Sequence, residues 1–157
     1  MKTDAYQKAL ELRKKTGGIL EVCLKVPIEN KDQLSAVYTP GVAEPCRKIA
    51  KNSESAYKFT IKKNTVAVVT DGSAVLGLGN IGGLAGLPVM EGKCALFKRF
   101  ANIDAFPICL DTQDTEEIIK TVRYIAPGFG GIGSCASTVS RSGERHRERS
   151  LSGAEGH

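Results

Sequence analysis

The apolar positions at the start of the chain recur at helical spacing. Between residues 4 and 15 they return every three or four positions, and residues 16–18 (TGG) then interrupt the pattern. This spacing places apolar side chains on one face of a helix, and a glycine pair ends a helix readily. The segment is therefore predicted to be a short amphipathic helix, with the apolar residues Ala5, Tyr6, Ala9, Leu10 and Leu12.

The next segments follow other patterns. Apolar and polar residues alternate from residue 20 to residue 26, which predicts a strand or an extended segment with one buried face. Residues 38–42 (YTPGV) contain a Pro-Gly pair, which is typical of a turn. Pro45 is well placed as the first residue of a helix that continues through Ala50.

Three short apolar runs occupy the middle of the chain. Residues 65–70 (TVAVVT) lack alternation, which favours a strand buried on both faces, as in a parallel sheet. Residues 94–97 and 105–110 are expected to be further strands. Residues 112–125 combine capping residues, an acidic first turn and an apolar stripe, which predicts a helix. Strands that alternate with helices predict an α/β domain with a mainly parallel sheet flanked by helices.

The last 25 residues differ in composition from the rest of the chain. All fourteen lysines lie at or before Lys120, whereas residues 133–157 hold four of the eight arginines and both histidines. This segment contains no aromatic residue, and Val139 and Leu151 are its only large aliphatic residues. Because its apolar residues fit neither the helical nor the strand period, we expect one folded domain over residues 1–132 and a disordered tail after it.

Composition otherwise indicates an ordinary globular domain. The chain has 157 residues, 41% hydrophobic and 25% charged, and its net charge of +5 is too small to indicate a nucleic-acid partner. No apolar stretch approaches the roughly 18 residues of a membrane helix, and the first residues lack a signal-peptide core. We therefore expect a cytoplasmic protein without a membrane partner. The cysteines are odd in number and have no C-x-x-C spacing, so we expect reduced, mostly buried thiols; they are Cys23, Cys46, Cys94, Cys109 and Cys135.

One glycine-rich motif matches a pattern that binds phosphate groups in other proteins. Residues 77–82 (GLGNIG) match the G-x-G-x-x-G pattern, in which backbone N–H groups approach a pyrophosphate. However, six residues separate this motif from Thr70, and Lys98 and Arg99 stand where an acidic residue should end the next strand. A turn that packs a helix on a sheet is the alternative interpretation.

Several polar residues allow both a functional and a structural interpretation. Tyr38 could deliver a proton beside a cleft or simply pack over its turn. Lys93 could act as a base if it is buried, or remain a solvated surface lysine. Asp71 and Asp104, at the ends of predicted strands, could belong to a site or cap turns. The arginine-rich residues 145–149 could touch phosphates but lack interleaved aromatic residues.

Longer motifs distinguish among these interpretations. They are YTPGVAEPC (38–46), NTVAVVTDGSAVLGLGNIGGLAGLPVMEGK (64–93), FPICLDTQDTEEIIKTV (106–122) and YIAPGFGGI (124–132). Together they resemble the N-terminal domain of a bacterial-type malic enzyme, from about the first helix to Ile132. That family converts malate to pyruvate and CO2 with NAD or NADP and a divalent metal, Mg2+ or Mn2+. The resemblance implies that Tyr38 is the general acid, that Lys93 is the general base, and that the intact protein forms dimers.

The chemistry of the family explains these residue types. Oxidation of the C2 alcohol requires a group that takes the hydroxyl proton, which a neutral amine can do. A hard metal ion stabilises charge on the C2 carbonyl oxygen, and a tyrosine hydroxyl suits protonation of the enol. The resemblance further implies that the glycine loop lines the substrate region and that the dinucleotide binds a separate downstream domain. The implied substrate-region residues are Leu76, Gly77, Gly79 and Asn80.

The chain departs from the family after Ile132. Family members continue with an Asn-Leu-Glu-Asp type segment whose two acids bind the metal, and Cys135 and Ala136 occupy the expected positions here. We therefore expect no metal or dinucleotide site in this chain, and no turnover of malate by the chain alone. A shifted reading frame near residue 133, or an equivalent junction or gene-prediction error, is our hypothesis for the change. Two alternatives are a non-catalytic module that pairs with an intact subunit and a small nucleotide- or phosphate-binding module that uses residues 77–82.

Overall fold

The computed structural model describes residues 2–75 and 77–134. The chain divides into two compact units: the first joins the segment up to Leu20 to the chain from Thr65 onward, and the second is Glu21–Asn64. The helices, in chain order, are α1 (Lys2–Thr16), α2 (Lys31–Val37), α3 (Ala43–Lys51), α4 (Ala56–Phe59), α5 (Gly83–Ala101) and α6 (Thr115–Ile125). The strands are β1 (Thr65–Thr70), β2 (Asp104–Cys109) and β3 (Gly131–Ser134).

The sheet of the first unit is parallel throughout. Its strand order is β2-β1-β3, and Val66 of β1 lies opposite Ala105 on one side and Gly131 on the other. Because β1 is central and covered on both faces, five of its six residues are buried, as its unbroken run of apolar and β-branched residues predicts. The predicted α/β class with a parallel sheet flanked by helices is confirmed.

The core of this unit lies between α5 and the sheet. Val68 of β1 packs with Met90 and Cys94 of α5, and each of the three side chains is at most 4% exposed. Gly83 allows the helix to approach closely, because a Cβ at this position would lie 2.3 Å from the carbonyl oxygen of Leu110. The start of α5 is therefore held against the end of β2.

The predicted strand at residues 94–97 is wrong. These residues belong to the 19-residue helix α5, and a short apolar run does not distinguish a strand from a buried part of a helix. The helical period becomes visible only over a longer window, in which Gly83, Gly86, Met90 and Cys94 are the buried residues. Pro88 and the intervening glycines obscure that period in the sequence.

The elements that follow α5 agree better with prediction. Strand β2 begins one residue before the predicted run, and α6 is capped by Asp114, whose side chain accepts a hydrogen bond from the N–H of Glu117. Strand β3 was not expected. It includes Gly133 and Ser134, the first two residues of the predicted tail. The predicted disorder of residues 135–157 lies outside the described residues.

The second unit contains α2, α3 and α4. The predicted turn at residues 38–42 is confirmed, and α3 begins at Ala43, two residues before Pro45. Residues 20–26 were predicted to be a strand or an extended segment with one buried face; they form no strand, and the predicted face is not buried. Val22 and Leu24 are 85% and 72% exposed, and no strand pairs with this segment in the part of the chain that the structure describes. Alternation alone does not make a strand when no neighbouring strand is available to pair with it.

Two expectations about burial also need correction. Helix α1 forms where predicted, but the side chains of Tyr6, Leu10 and Leu12 are more than half exposed, so its apolar residues do not face a core. Among the described thiols, Cys94 is buried and Cys109 half-buried, whereas Cys23 and Cys46 are exposed. The expectation of mostly buried thiols is therefore wrong for these two.

Candidate functional site

Lys93 lies on α5, directly before the four residues that were predicted to form a strand. It is half-buried, and it belongs to the same helix face as Leu96, Phe97 and Phe100. These four residues and Ala101 line an apolar groove of about 280 Å³. Apart from Lys93, the residues that line this groove are apolar.

Tyr38 follows the last residue of α2. Its backbone N–H donates to the carbonyl of Leu34 at 2.9 Å, and its own carbonyl accepts from Val42 at 2.7 Å. Gly41 closes the turn, because a Cβ there would lie 2.6 Å from the carbonyl oxygen of Ser35. The Tyr38 side chain is 67% exposed. Its backbone is therefore held on both sides while its phenol is accessible to solvent.

The glycine loop connects β1 to α5. Gly77 and Gly79 have positive φ values of 78° and 73°, and a Cβ on either would meet nothing within 4 Å. The N–H of Val75 donates to the carbonyl of Gly79 at 2.9 Å, and Gly79 donates back at 3.0 Å. These glycines are required by their backbone angles rather than by lack of space. Leu76, the other predicted residue of this loop, lies outside the described residues.

Asn80 of the glycine loop contacts Gln113 of the β2–α6 connection. The Asn80 amide nitrogen donates to the Gln113 side-chain oxygen at 3.0 Å, and the Gln113 amide nitrogen donates to the Asn80 side-chain oxygen at 2.8 Å. The same Gln113 nitrogen lies 3.4 Å from the carbonyl oxygen of Asp71. Sequence reasoning missed Gln113, because the two amides are 33 positions apart and no local pattern connects them.

Asp71 follows β1 at the carboxyl end of the sheet. Its side chain is 1% exposed, and Oδ1 accepts from the N–H and the hydroxyl of Ser73 at 3.0 and 2.8 Å. Its other oxygen, Oδ2, is buried without a hydrogen-bond partner among the described residues. The expected turn-capping role of Asp71 is thus confirmed. In parallel α/β sheets, ligands bind at the carboxyl ends of the strands, at the point where the connections from two neighbouring strands lead in opposite directions.

The predicted residues are distributed between the two units. Asn80, Gln113 and Asp71 come together at the carboxyl edge of the sheet, and Lys93 lies on α5 of the same unit. Tyr38 belongs to the second unit.

The described part of the chain does not fit a metal ion. No group of three or more histidine, cysteine, aspartate or glutamate side chains in residues 2–75 and 77–134 could hold one. Cys135 and Ala136, which occupy the positions of the family's acidic pair, lie outside those ranges. Within the same ranges, every helix is too short or too polar to cross a lipid bilayer.

Comparison with known proteins identifies the family. The model of the malic enzyme N-terminal domain matches residues 17–129. The chain belongs to the malic enzyme family. It is 64% identical over 116 residues to an NAD-dependent malic enzyme of Geobacillus stearothermophilus, and 50% identical over 115 residues to an NADP-dependent malic enzyme of Escherichia coli. These matches cover 74% and 73% of this chain.

The fold agrees with that assignment. The crystal structure of malic enzyme from Pyrococcus horikoshii matches 83% of this chain with a TM-score of 0.81 and 53% sequence identity. The chain spans only a part of these proteins: 24% of the Geobacillus enzyme, 15% of the Escherichia coli enzyme and 31% of the Pyrococcus chain. It is therefore similar to the N-terminal part of much longer enzymes.

Proposed function

We propose that this chain is the substrate-side part of a malic enzyme, in which Tyr38 is the general acid and Lys93 the general base. The observation that carries the proposal is the family match over residues 17–129, which includes both residues within the motifs YTPGV and VMEGK. In the intact enzyme the substrate is malate, the product is pyruvate, and the reaction is an oxidative decarboxylation. The domain boundary is proposed near residue 132.

The two proton-transferring roles suit the surroundings of each residue. A base that takes the hydroxyl proton of malate must lie beside the space the substrate occupies, and Lys93 is half-buried at a groove of apolar side chains. An acid that protonates carbon must reach the substrate from a fixed backbone, and the phenol of Tyr38 is exposed on a turn held by two backbone hydrogen bonds. The glycine loop with Gly77, Gly79 and Asn80 is proposed to line the substrate region, and Leu76 is included through the family motif alone.

Relatives with NAD-dependent and NADP-dependent activity both match this chain. We infer that the intact enzyme uses one of these dinucleotides together with Mg2+ or Mn2+, and that both are held by parts of the protein beyond the described residues. We also propose that the intact enzyme is a homodimer. The 157-residue chain alone is expected to be inactive, because it spans only 24% of the Geobacillus relative.

A chimera tests the proposal directly. Residues 1–132 of this chain would be joined to the remainder of the Geobacillus malic enzyme, and malate-dependent reduction of NAD would be followed with Mn2+ present. We expect turnover by the chimera and none by the 157-residue chain. Lys93→Ala and Tyr38→Phe in the chimera should each lower kcat by about 100-fold or more.

A matched control is Lys98→Ala, because Lys98 lies on the same helix and its amine is bound to Asp104 at 2.7 Å. This variant should keep kcat within about twofold of the parent chimera. An active chimera that is insensitive to both Lys93→Ala and Tyr38→Phe would refute the assigned roles. Malate turnover by the 157-residue chain would refute its proposed inactivity.

A further inference from the structure

The amide pair between Asn80 and Gln113 connects two segments that meet at the carboxyl edge of the sheet. Each amide donates one hydrogen bond to the other and accepts one in return, at 3.0 and 2.8 Å. A reciprocal pair of this kind fixes both the position and the rotation of each amide plane, whereas a single hydrogen bond leaves the rotation open. The side chain of Asn80 is thus oriented by a residue from another loop.

The partner loop is itself well anchored. The N–H of Leu110 donates to the carbonyl of Thr70 at 2.8 Å, which ties the start of the β2–α6 connection to the end of β1. At the other end, the N–H of Asp114 donates to the hydroxyl of Thr112 at 3.2 Å, and Asp114 caps α6. Gln113 therefore projects from a segment whose backbone is held on both sides.

The glycine loop is held mainly by backbone hydrogen bonds, among them the reciprocal pair between Val75 and Gly79. Gly77 and Gly79 adopt positive φ values and carry no side chain that could attach the loop to the rest of the unit. A backbone hydrogen bond from Ile81 to Gly72 at 3.0 Å holds the end of the loop. The contact of Asn80 with Gln113 adds a side-chain attachment at the same end.

We propose that Gln113 is a positioning residue of the candidate site. It holds the Asn80 side chain, and with it the end of the glycine loop, against the carboxyl end of β1. Its amide nitrogen lies close to both the Asn80 side-chain oxygen and the Asp71 carbonyl oxygen. One side chain therefore contacts both the glycine loop and the residue that follows β1. Only the relevance of this arrangement to malate rests on the proposed function; the arrangement itself is tested without substrate.

The test uses amide hydrogen exchange, followed by NMR, in the full 157-residue chain. In Gln113→Leu we expect the amides of Gly79 and Ile81 to exchange about 2- to 10-fold faster, which corresponds to the loss of one or two solvent-accessible hydrogen bonds. The amide of Val68 in β1 should keep its rate. Asp111→Asn, at an exposed position of the same connection, is the control and should change none of the three.

A second variant separates positioning from a general loss of stability. In Gln113→Glu the charged carboxylate cannot donate to Asn80, but the protonated acid can. Exchange rates at Gly79 and Ile81 are corrected for their intrinsic pH dependence. At about pH 6 they should be faster in Gln113→Glu than in the unsubstituted chain. At about pH 4, below the ordinary glutamate pKa, they should approach those of the unsubstituted chain.

Two results would overturn the proposal. Unchanged exchange at Gly79 and Ile81 in Gln113→Leu would show that the pair does not hold the loop. Faster exchange at Val68 to the same extent, together with no pH-dependent recovery in Gln113→Glu, would show that Gln113 serves the stability of the whole unit instead.

Discussion

Arg13 of α1 forms an ion pair with Glu91 of α5. The other guanidinium nitrogen of Arg13 donates to the carbonyl of Pro88 at 2.8 Å, and the Arg13 and Glu91 side chains are only 27% and 17% exposed. Gly18 allows this approach, because a Cβ there would lie 2.8 Å from a carboxylate oxygen of Glu91. Helix α1, whose apolar residues are exposed, is thus attached to α5 of the same unit through polar contacts near its carboxyl end.

Removing this attachment should destabilise the first unit. In Arg13→Gln, the Glu91 carboxylate remains largely buried without its cation, and the midpoint of urea unfolding should fall by an amount equivalent to about 1.5 to 3 kcal/mol. Lys8→Ala is the control on the same helix, because the Lys8–Asp4 pair is 73% and 68% exposed and should contribute about 0.5 kcal/mol or less. Equal effects of the two variants would contradict the importance of the Arg13–Glu91 contact.

Gly72 should tolerate no side chain. Its φ is +69°, and a Cβ would lie 2.0 Å from the carbonyl oxygen of Gly82 and 2.6 Å from the nitrogen of Gly83. These atoms belong to backbone that begins α5, so they cannot simply rotate away. Gly72→Ala should lower the free energy of unfolding by about 2 to 4 kcal/mol, through strain and displacement of the helix start.

Gly92→Ala is the matched comparison for Gly72→Ala. Gly92 lies inside α5, and a Cβ there would meet nothing within 4 Å. Alanine favours a helix over glycine, so this variant should raise the free energy of unfolding by about 0.5 to 1 kcal/mol. Chemical denaturation followed by circular dichroism measures both changes. A destabilised Gly92→Ala together with a neutral Gly72→Ala would reverse the expected order.

The sequence predicts some elements of the fold well because their signals are local. The run of residues at 65–70 identifies β1 with its correct bounds, since an unalternating β-branched segment suits a strand buried on both faces. Strand β3 gave no such signal, because Gly131 and Gly133 carry no side chain that could form a pattern. Its place in the sheet depends on pairing with Val66 through Val69 of β1.

The candidate site likewise contains residues that local motifs predict and a contact that depends on the folded structure. The family motifs lead directly to Tyr38, Lys93 and Asn80, because these residues lie within long continuous matches. Gln113 lies within such a segment as well, but its contact with Asn80 depends on how two connections meet in the folded unit. No local sequence pattern indicates that these two connections lie side by side, so the contact was found only in the structure.

The buried thiol of Cys94 should make stability depend on pH in the alkaline range. Burial, together with the nearby Glu91 carboxylate, raises the pKa of Cys94 from 9.0 to about 11. The folded state therefore keeps this proton at a pH where the unfolded state releases it, so the free energy of unfolding should fall as pH rises from about 9 to about 11. Burial also raises the pKa of Cys109, which acts in the same direction.

Cys94→Ala separates this contribution from the titration of other groups. The variant should be less stable at neutral pH, because it leaves a small cavity beside Met90, but its stability should fall less steeply between about pH 9 and about pH 11 than that of the unsubstituted chain. Urea unfolding at several pH values gives both slopes. Identical slopes would mean that the Cys94 thiol does not titrate differently in the two states.

Two residues of α5 provide the sharpest contrast between a covered and an uncovered helix face. Met90 is fully buried against the sheet, whereas Phe100, which lines the groove beside Lys93, is 81% exposed. Met90→Ala should lower the free energy of unfolding by about 2 to 5 kcal/mol, because it removes packed side-chain volume. Phe100→Ala should change it by about 0.5 kcal/mol or less. Chemical denaturation at low and at tenfold higher protein concentration measures both variants. If Phe100→Ala instead lowered the free energy of unfolding by a large amount that depends on protein concentration, the groove would not be uncovered in the 157-residue chain.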